Sequence, residues 1–205
     1  MNMKGPLKDS LKDLLFMLIL SSFCAFLLLA TRSAVGERAE LSAGTADAIL
    51  KIIGKEVLPS DDQLIESFSE IFVRRQSGKI KFWRAVDKPD FWACEASGNG
   101  MWSEITLAFV IDTTTWQIMG LRIVEQNETA GLGSRISEDR FVEQFTGLYG
   151  ENGVEMASYK IMNNQFDAIT GATSSSKSVE KLLNKALSML RERVKAGDTN
   201  QNELS

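Results

Sequence analysis

Apolar and polar residues divide this chain into stretches of different period. From Leu14 to Thr31 the sequence LLFMLILSSFCAFLLLAT runs eighteen residues without a charge, with Lys8, Lys12 and Asp13 before it and Arg32 after it. That approaches the ~20 residues needed to cross a ~30 Å hydrocarbon core as a helix. The run reads as a spanning helix or a signal peptide. Its length, and the lack of an A-x-A-like exit after Thr31, favour an uncleaved transmembrane anchor over residues 14–31, preceded by a short segment over residues 1–13. Lys4, Lys8 and Lys12 precede the run and Arg32 and Arg38 follow it closely, so the positive-inside tendency leans toward a cytoplasmic N-terminus with the rest of the chain outside.

Beyond the anchor a helical connector is expected over residues 32–59, mostly helical from Ala39 to Leu58 and broken by Pro59. Ser60 with Gln63 makes a capping-box pattern ahead of Leu64, Ile65, Phe68, Ile71 and Phe72, which share one helical face. Strand signals follow at Ile80 and Phe82, at Phe91–Ala96, at Ile105–Ile111 and at Gln117–Val124, the last two pairing as a hairpin through Thr113–Thr115. A second helix is expected from Ser137 to about Gly150, with Phe141, Phe145 and Leu148 on one face. A strand over Val154–Ile161, a turn at Asn163 and Asn164, and a long amphipathic helix over Ser175–Lys195 complete the pattern. Hairpins segregated from helices predict one α+β domain over residues 60–195, with a polar, disordered tail over residues 196–205.

Composition narrows the chemistry. A net charge of −4 argues against a nucleic-acid footprint, which needs clustered Lys and Arg. The chain has no His, which excludes hydrolase triads and His-containing zinc sites; no metal site is expected. Its two Cys, Cys24 in the apolar run and Cys94 in a strand, form neither a CxxC nor a disulfide framework. No GxGxxG opens a βαβ unit and no GxxxxGK[ST] occurs, so neither a nicotinamide fingerprint nor a Walker loop is present.

The most informative segment is Asp167–Ser178, DAITGATSSSKS, just before the last helix. It reads as a short strand, a small-residue turn at Gly171 and Ala172, and hydroxyl residues at a helix N-terminus. Free backbone N–H groups and the helix dipole suit such a place to an anion, while on pattern alone Thr173–Ser176 read more readily as plain helix caps.

The string Thr170-Gly171-Ala172-Thr173, preceded by Asp167 and followed by Ser174, Ser176 and Val179, resembles the [ST]GAT[ST]-type flavinylation motif of the FMN-binding domain family. A second string, Glu128-Thr129-Ala130-Gly131-Leu132-Gly133, resembles that family's ETPGLG loop, with Ala130 where the family usually has Pro, which leaves the loop less rigid. The resemblance covers roughly Ala39 to Lys195. It implies covalent FMN, held as a phosphoester on Thr173 and attached by a separate flavin transferase. It also implies a cofactor site made of Thr170, Gly171, Ala172, Thr173 and Ser174 with Glu128, Thr129, Leu132 and Gly133, the latter four as a ring-facing loop. Trp102 reads either as a flavin neighbour or as a core or interface aromatic.

Within the family, an anchor followed by one such domain resembles electron-relay subunits of bacterial or archaeal ion-translocating complexes, which are not complete enzymes. The short chain resembles the Rnf type first. Gly100-Met101-Trp102-Ser103, similar to a GLWS string, points to the sodium-translocating NADH:quinone reductase type second. The expected partners are the other membrane subunits, the flavin transferase and membrane lipid, in the cell inner membrane. A membrane-anchored anion-binding module without redox chemistry is the competing class.

Overall fold

The computed structural model describes residues 5–34, 41–55, 60–76, 79–158 and 162–197, with side chains described at 12–26 in the first of these stretches and at all but residue 76 of the others. The chain divides into two units, Met1–Glu40 and Leu41–Ser205. The first contains helix α1, Gly5–Ala34. Among the described residues no helix is long and apolar enough to cross a membrane. The expected anchor lies within α1, and the side chains of residues 27–31 are not among those described. The large apolar side chains from Leu14 to Leu20, with Phe23 and Phe26, are exposed.

The second unit is built on a five-stranded antiparallel meander. Its strands are β1, Phe72–Gln76; β2, Ile80–Ala85; β3, Phe91–Asn99; β4, Glu104–Asp112; and β5, Gln117–Gln126. They pair in chain order, with Ala93 opposite Val110 in β3–β4 and Phe109 opposite Leu121 in β4–β5. Strand alternation sends Phe82, Trp92, Cys94, Leu107 and Phe109 into one core, and Trp83, Ala93, Ala108 and Val110 into a second core on the opposite face. Burial on both faces explains why β3 and β4 read as nearly continuous apolar runs. The mixed α/β architecture and the β4–β5 hairpin agree with the sequence expectation.

Helices α2, Ala43–Ile52, and α3, Asp61–Ile71, cover the second core. Each begins with a serine cap: Thr45 N donates to Ser42 Oγ and Gln63 N to Ser60 Oγ, as the Ser60/Gln63 spacing predicts. Because Ala46, Ile49 and Leu50 are buried against the sheet, α2 belongs to the folded unit, so the part of the expected connector from Leu41 onward is not a spacer. Residues 35–40 and 56–59, including Leu58 and Pro59, lie outside the described residues, as do 159–161 and 198–205 of the expected strand and tail.

The first core is closed by the long helix α5, Thr173–Lys195, which buries Val179, Leu182, Leu183, Ala186, Leu187 and Leu190. The helix expected from Ser137 to Gly150 needs correction: the chain forms a 3₁₀ turn Gly133–Ser137, the one-turn helix α4, Asp139–Val142, and a second 3₁₀ turn Glu143–Phe145. The cause is the open edge of β5. Gly147 N donates to Ile118 O, Ile118 N to Leu148 O and Gly150 N to Trp116 O, so residues 147–150 pair with the sheet and are lost to a helix. Phe141 and Phe145 nevertheless face the core as their spacing predicts, against Phe166. The last strands, β6, Glu155–Ala157, and β7, Gln165–Asp167, form a small parallel pair around the turn at Asn163 and Asn164.

Candidate functional site

Strand β7 delivers the chain to the start of α5 through a tight turn. Gln144 substitutes for a strand neighbour of Asp167: its Oε1 accepts from Asp167 N at 2.9 Å and its Nε2 donates to Asp167 O at 3.3 Å. Ala172 N then donates to Ile169 O at 2.9 Å, and Gly171 turns the chain at φ +82°, a left-handed conformation that a side chain resists. Ser176, fully buried, locks this turn by accepting from Ile169 N at 3.2 Å and donating to Ala172 O at 3.0 Å.

Thr173 is the first residue of α5. The N-cap position belongs to Ala172, which has no side-chain capping bond. Thr173 and Ser174 are exposed, and among the described residues neither hydroxyl is engaged in a hydrogen bond. The plain capping alternative therefore does not account for Thr173. An exposed hydroxyl stands beside backbone N–H groups that a helix start leaves without intrahelical partners.

Ser175 differs from its neighbours. It is 2 % exposed and donates to Glu128 Oε2 at 2.7 Å. The other oxygen of Glu128, Oε1, accepts from Trp102 N at 3.0 Å, Ser103 N at 3.1 Å and Ser103 Oγ at 3.3 Å. One buried carboxylate thus ties the 100–103 loop, the 128–133 loop and the first turn of α5. Burial alone would push its acidity toward the neutral form, but the bonds from Trp102, Ser175 and Ser103 prevail and hold it below the usual carboxylate range.

Two glycines make room for it. A Cβ at Gly100 would lie 2.4 Å from Glu128 Oε1, and one at Gly133 would lie 2.7 Å from Ser175 Oγ and 2.8 Å from Glu128 Cβ. On the outer side of the same loop Thr129 and Leu132 are exposed, and a Cβ at Gly171 would meet Leu132 Cδ2 at 3.5 Å. The two motif strings are therefore neighbours in space.

Of the residues expected at a cofactor, Thr170, Gly171, Thr173, Ser174, Thr129 and Leu132 are exposed around this place, while Ala172, Gly133 and Glu128 lie beneath it. Trp102 is 73 % exposed, so it is not a core aromatic, whereas Trp83 and Trp92 are. Sequence reasoning misses Ser175, because nothing in the run Ser174–Ser176 tells which hydroxyl points inward, and Ser103, a single serine between Trp102 and Glu104. A cleft of about 380 Å³ opens beside Thr170, lined also by Arg135, Arg140, Gln144 and Asp167. Among the described residues no cluster of His, Cys, Asp and Glu could hold a metal.

Residues 100–188 match the family model of the FMN-binding domain. The match takes in the Gly100 loop, the Glu128 loop and the start of α5, whereas α2, α3 and β1–β3 precede it. Over 122 residues the chain is 25 % identical to the C subunit of the Na(+)-translocating NADH-quinone reductase of Vibrio anguillarum, covering 55 % of this chain and 47 % of that protein. The chain thus spans about half the length of that curated relative. The fold is similar to the crystal structure of the corresponding C subunit from Parabacteroides distasonis, with a TM-score of 0.58 and 21 % identity over 78 % of this chain and 94 % of that one. It is also similar to Shewanella oneidensis NqrC, with a TM-score of 0.50 and 17 % identity over 60 % of this chain and 64 % of that one. These two likenesses carry the fold, and the FMN-binding domain match carries the cofactor class.

Proposed function

We propose that this chain is a membrane-anchored electron-relay subunit of an ion-translocating oxidoreductase, carrying one FMN esterified through its phosphate to Thr173. The observation that carries the reading is the state of the hydroxyls at the start of α5. Ser175 and Ser176 are buried and committed, and Thr173, at the threonine of the motif, is exposed and, among the described residues, unbonded.

Forming a phosphodiester from FMN and an alcohol in water is unfavourable, so an activated donor such as FAD, acting with a flavin transferase, is the reasonable source. Thr173 Oγ1 bonds to the FMN-side phosphorus, the bond from that phosphorus to the bridging oxygen breaks, AMP departs and the hydroxyl proton leaves to solvent or to the transferase. Once attached, the phosphodiester would be held at Thr173, at the positive end of α5, which would favour its charge by about 0.3–1 kcal/mol where exposed. The flavin supplies one- and two-electron transfer when bound; the chain supplies tether, orientation and surroundings. Thr170, Gly171, Ala172 and Ser174 would flank the attachment, with Thr129, Leu132 and Gly133 in the facing loop.

The likeness to the C subunit of the Na(+)-translocating NADH-quinone reductase supports that type beside the Rnf type, in each case with other membrane subunits as partners. The exposed apolar side chains of α1 support burial in lipid or against such subunits, and Lys4, Lys8 and Lys12 ahead of the apolar run support a domain on the outer side of the inner membrane. The deciding experiment is the intact mass of the chain made together with a flavin transferase, for wild type and Thr173→Ala. Wild type should gain one FMN less one water and the variant nothing. A wild-type chain without the increment returns the site to a non-redox anion-binding module. Protection of the domain from protease added to intact cells would overturn the outer-side orientation.

A further inference from the structure

Glu128 sits in the loop expected to face the flavin, yet its carboxylate points the other way. Both oxygens are used by protein donors, the residue is 7 % exposed, and its partners come from segments 25, 26 and 47 residues away in the chain. We propose that Glu128 is a positioning residue for the acceptor Thr173, fastening the 100–103 and 128–133 loops to the first turn of α5 so that the exposed hydroxyl is held for phosphoryl transfer. This rests on Thr173 being the flavin acceptor.

Three observations converge on this role. The first turn of α5 has two buried hydroxyl tethers; among the described residues Ser176 reaches only the adjoining 169–172 turn, at Ile169 and Ala172, while Ser175 reaches a different part of the fold. The Ser175 bond is therefore the side-chain link that sets this turn relative to the loops across the site. It is also a hydrogen bond to an ionised group, shorter and stronger than a neutral one. Finally, the glycine at 133 leaves no slack: its missing side chain would fall 3.1 Å from Glu128 Oε2, and the one at Gly100 still closer to Oε1. A carboxylate so enclosed has one available placement, and Ser175, two residues after Thr173, inherits it.

Glu128 itself touches no reacting atom. It neither accepts the proton of Thr173 nor contacts the phosphorus. Its effect is on how often Thr173 Oγ1 is correctly aimed and how firmly the attached group is then held.

The test compares wild type with Ser175→Ala, Glu128→Gln and Glu128→Ala, using Ser178→Ala as control, since among the described residues the Ser178 hydroxyl bonds only to Ser174 O of its own helix. Full-length chains are incubated with FAD and a flavin transferase. The initial rate of FMN incorporation is read by intact mass, and the fluorescence anisotropy of the attached flavin reports its mobility. A glutamine can accept from Trp102 and Ser103 and donate to Ser175, so it preserves the bracket without the charge. Ser175→Ala and Glu128→Ala should slow incorporation by about tenfold and lower the anisotropy, while Glu128→Gln stays within about threefold of wild type and Ser178→Ala is unchanged. If Glu128→Ala fails to fold, Ser175→Ala, which deletes one oxygen, carries the test alone. Wild-type rates and anisotropy in Ser175→Ala would overturn the positioning role. So would a Glu128→Gln chain as slow as the alanine variant, because charge and not bonding geometry would then be at work. A wild-type chain that takes up no flavin overturns the acceptor reading, and this role with it.

Discussion

The carboxamide of Asn184 holds both backbone polar groups of Val154: its Oδ1 accepts from Val154 N at 2.7 Å and its Nδ2 donates to Val154 O at 2.8 Å. This pair fixes the middle of α5 against the segment leading into β6, while Glu180 accepts from Met156 N one turn nearer the site. Removing the amide leaves two groups of a 3 %-exposed residue without that partner. Asn184→Ala should cost about 2–4 kcal/mol, read as a lower urea midpoint with unchanged slope.

Gly133→Ala addresses the site without removing any bond donor. The added methyl would overlap Ser175 Oγ and Glu128 Cβ, backbone-adjacent atoms with little freedom to move. The expected loss is about 1–3 kcal/mol of stability. Gly54→Ala serves as a comparison, since a Cβ there meets nothing within 4 Å and only the φ of +74° resists it. Thermal unfolding of the two variants should separate a steric clash from a backbone penalty.

Acid should weaken the site in a defined direction. The carboxyl of Glu128 is held below its ordinary value of 4.5 in the folded chain, so its contribution is fully present above that value and is lost as pH falls through the folded one. The stability difference between wild type and Glu128→Gln should therefore be constant above about pH 5.5 and shrink as pH falls below 4.5. Denaturant titrations from pH 7 to 3 check this; a difference that grows on acidification would contradict it.

On the opposite face Lys81 Nζ meets Glu95 Oε1 at 2.6 Å, with Thr45 Oγ1 donating to Glu95 Oε2 from α2. Both charged side chains are largely buried, at 15 % and 6 % exposure. Lys81→Met should destabilise by about 3–5 kcal/mol by stranding the carboxylate, and Lys81→Met combined with Glu95→Leu should recover much of that. A double-mutant cycle in urea measures the coupling.

Where local pattern and tertiary demand agree, the sequence is a reliable guide. Ser60 caps α3, Leu64 and Phe68 point inward, and the apolar stripe of α5 from Val179 to Leu190 is buried as its spacing requires. Strand β1 is illegible in the sequence, because Val73, Arg74 and Arg75 lack an apolar alternation and become a strand only by pairing with β2. The helix expected through Leu148 fails for a related reason: its apolar face is real, but β5 offers hydrogen bonds that no single-segment pattern reveals. At the site, the two motif strings are legible through their family resemblance. The inward role of Glu128 is not, since a carboxylate in a glycine-containing loop reads as solvated until Trp102, Ser103 and Ser175 are brought around it.

The two rims of the meander are treated differently. Residues 147–150 occupy the outer hydrogen-bonding groups of Ile118 and Trp116 at the start of β5, whereas β1 forms the other rim, with arginines at 74 and 75 and a register shift between Arg74 and Gln76 where it pairs with β2. A rim already paired at its start leaves less edge to template a further strand, and a short, cationic, irregular one templates poorly. The sheet is thereby guarded at both rims against edge-to-edge self-association, the first step toward a fibril.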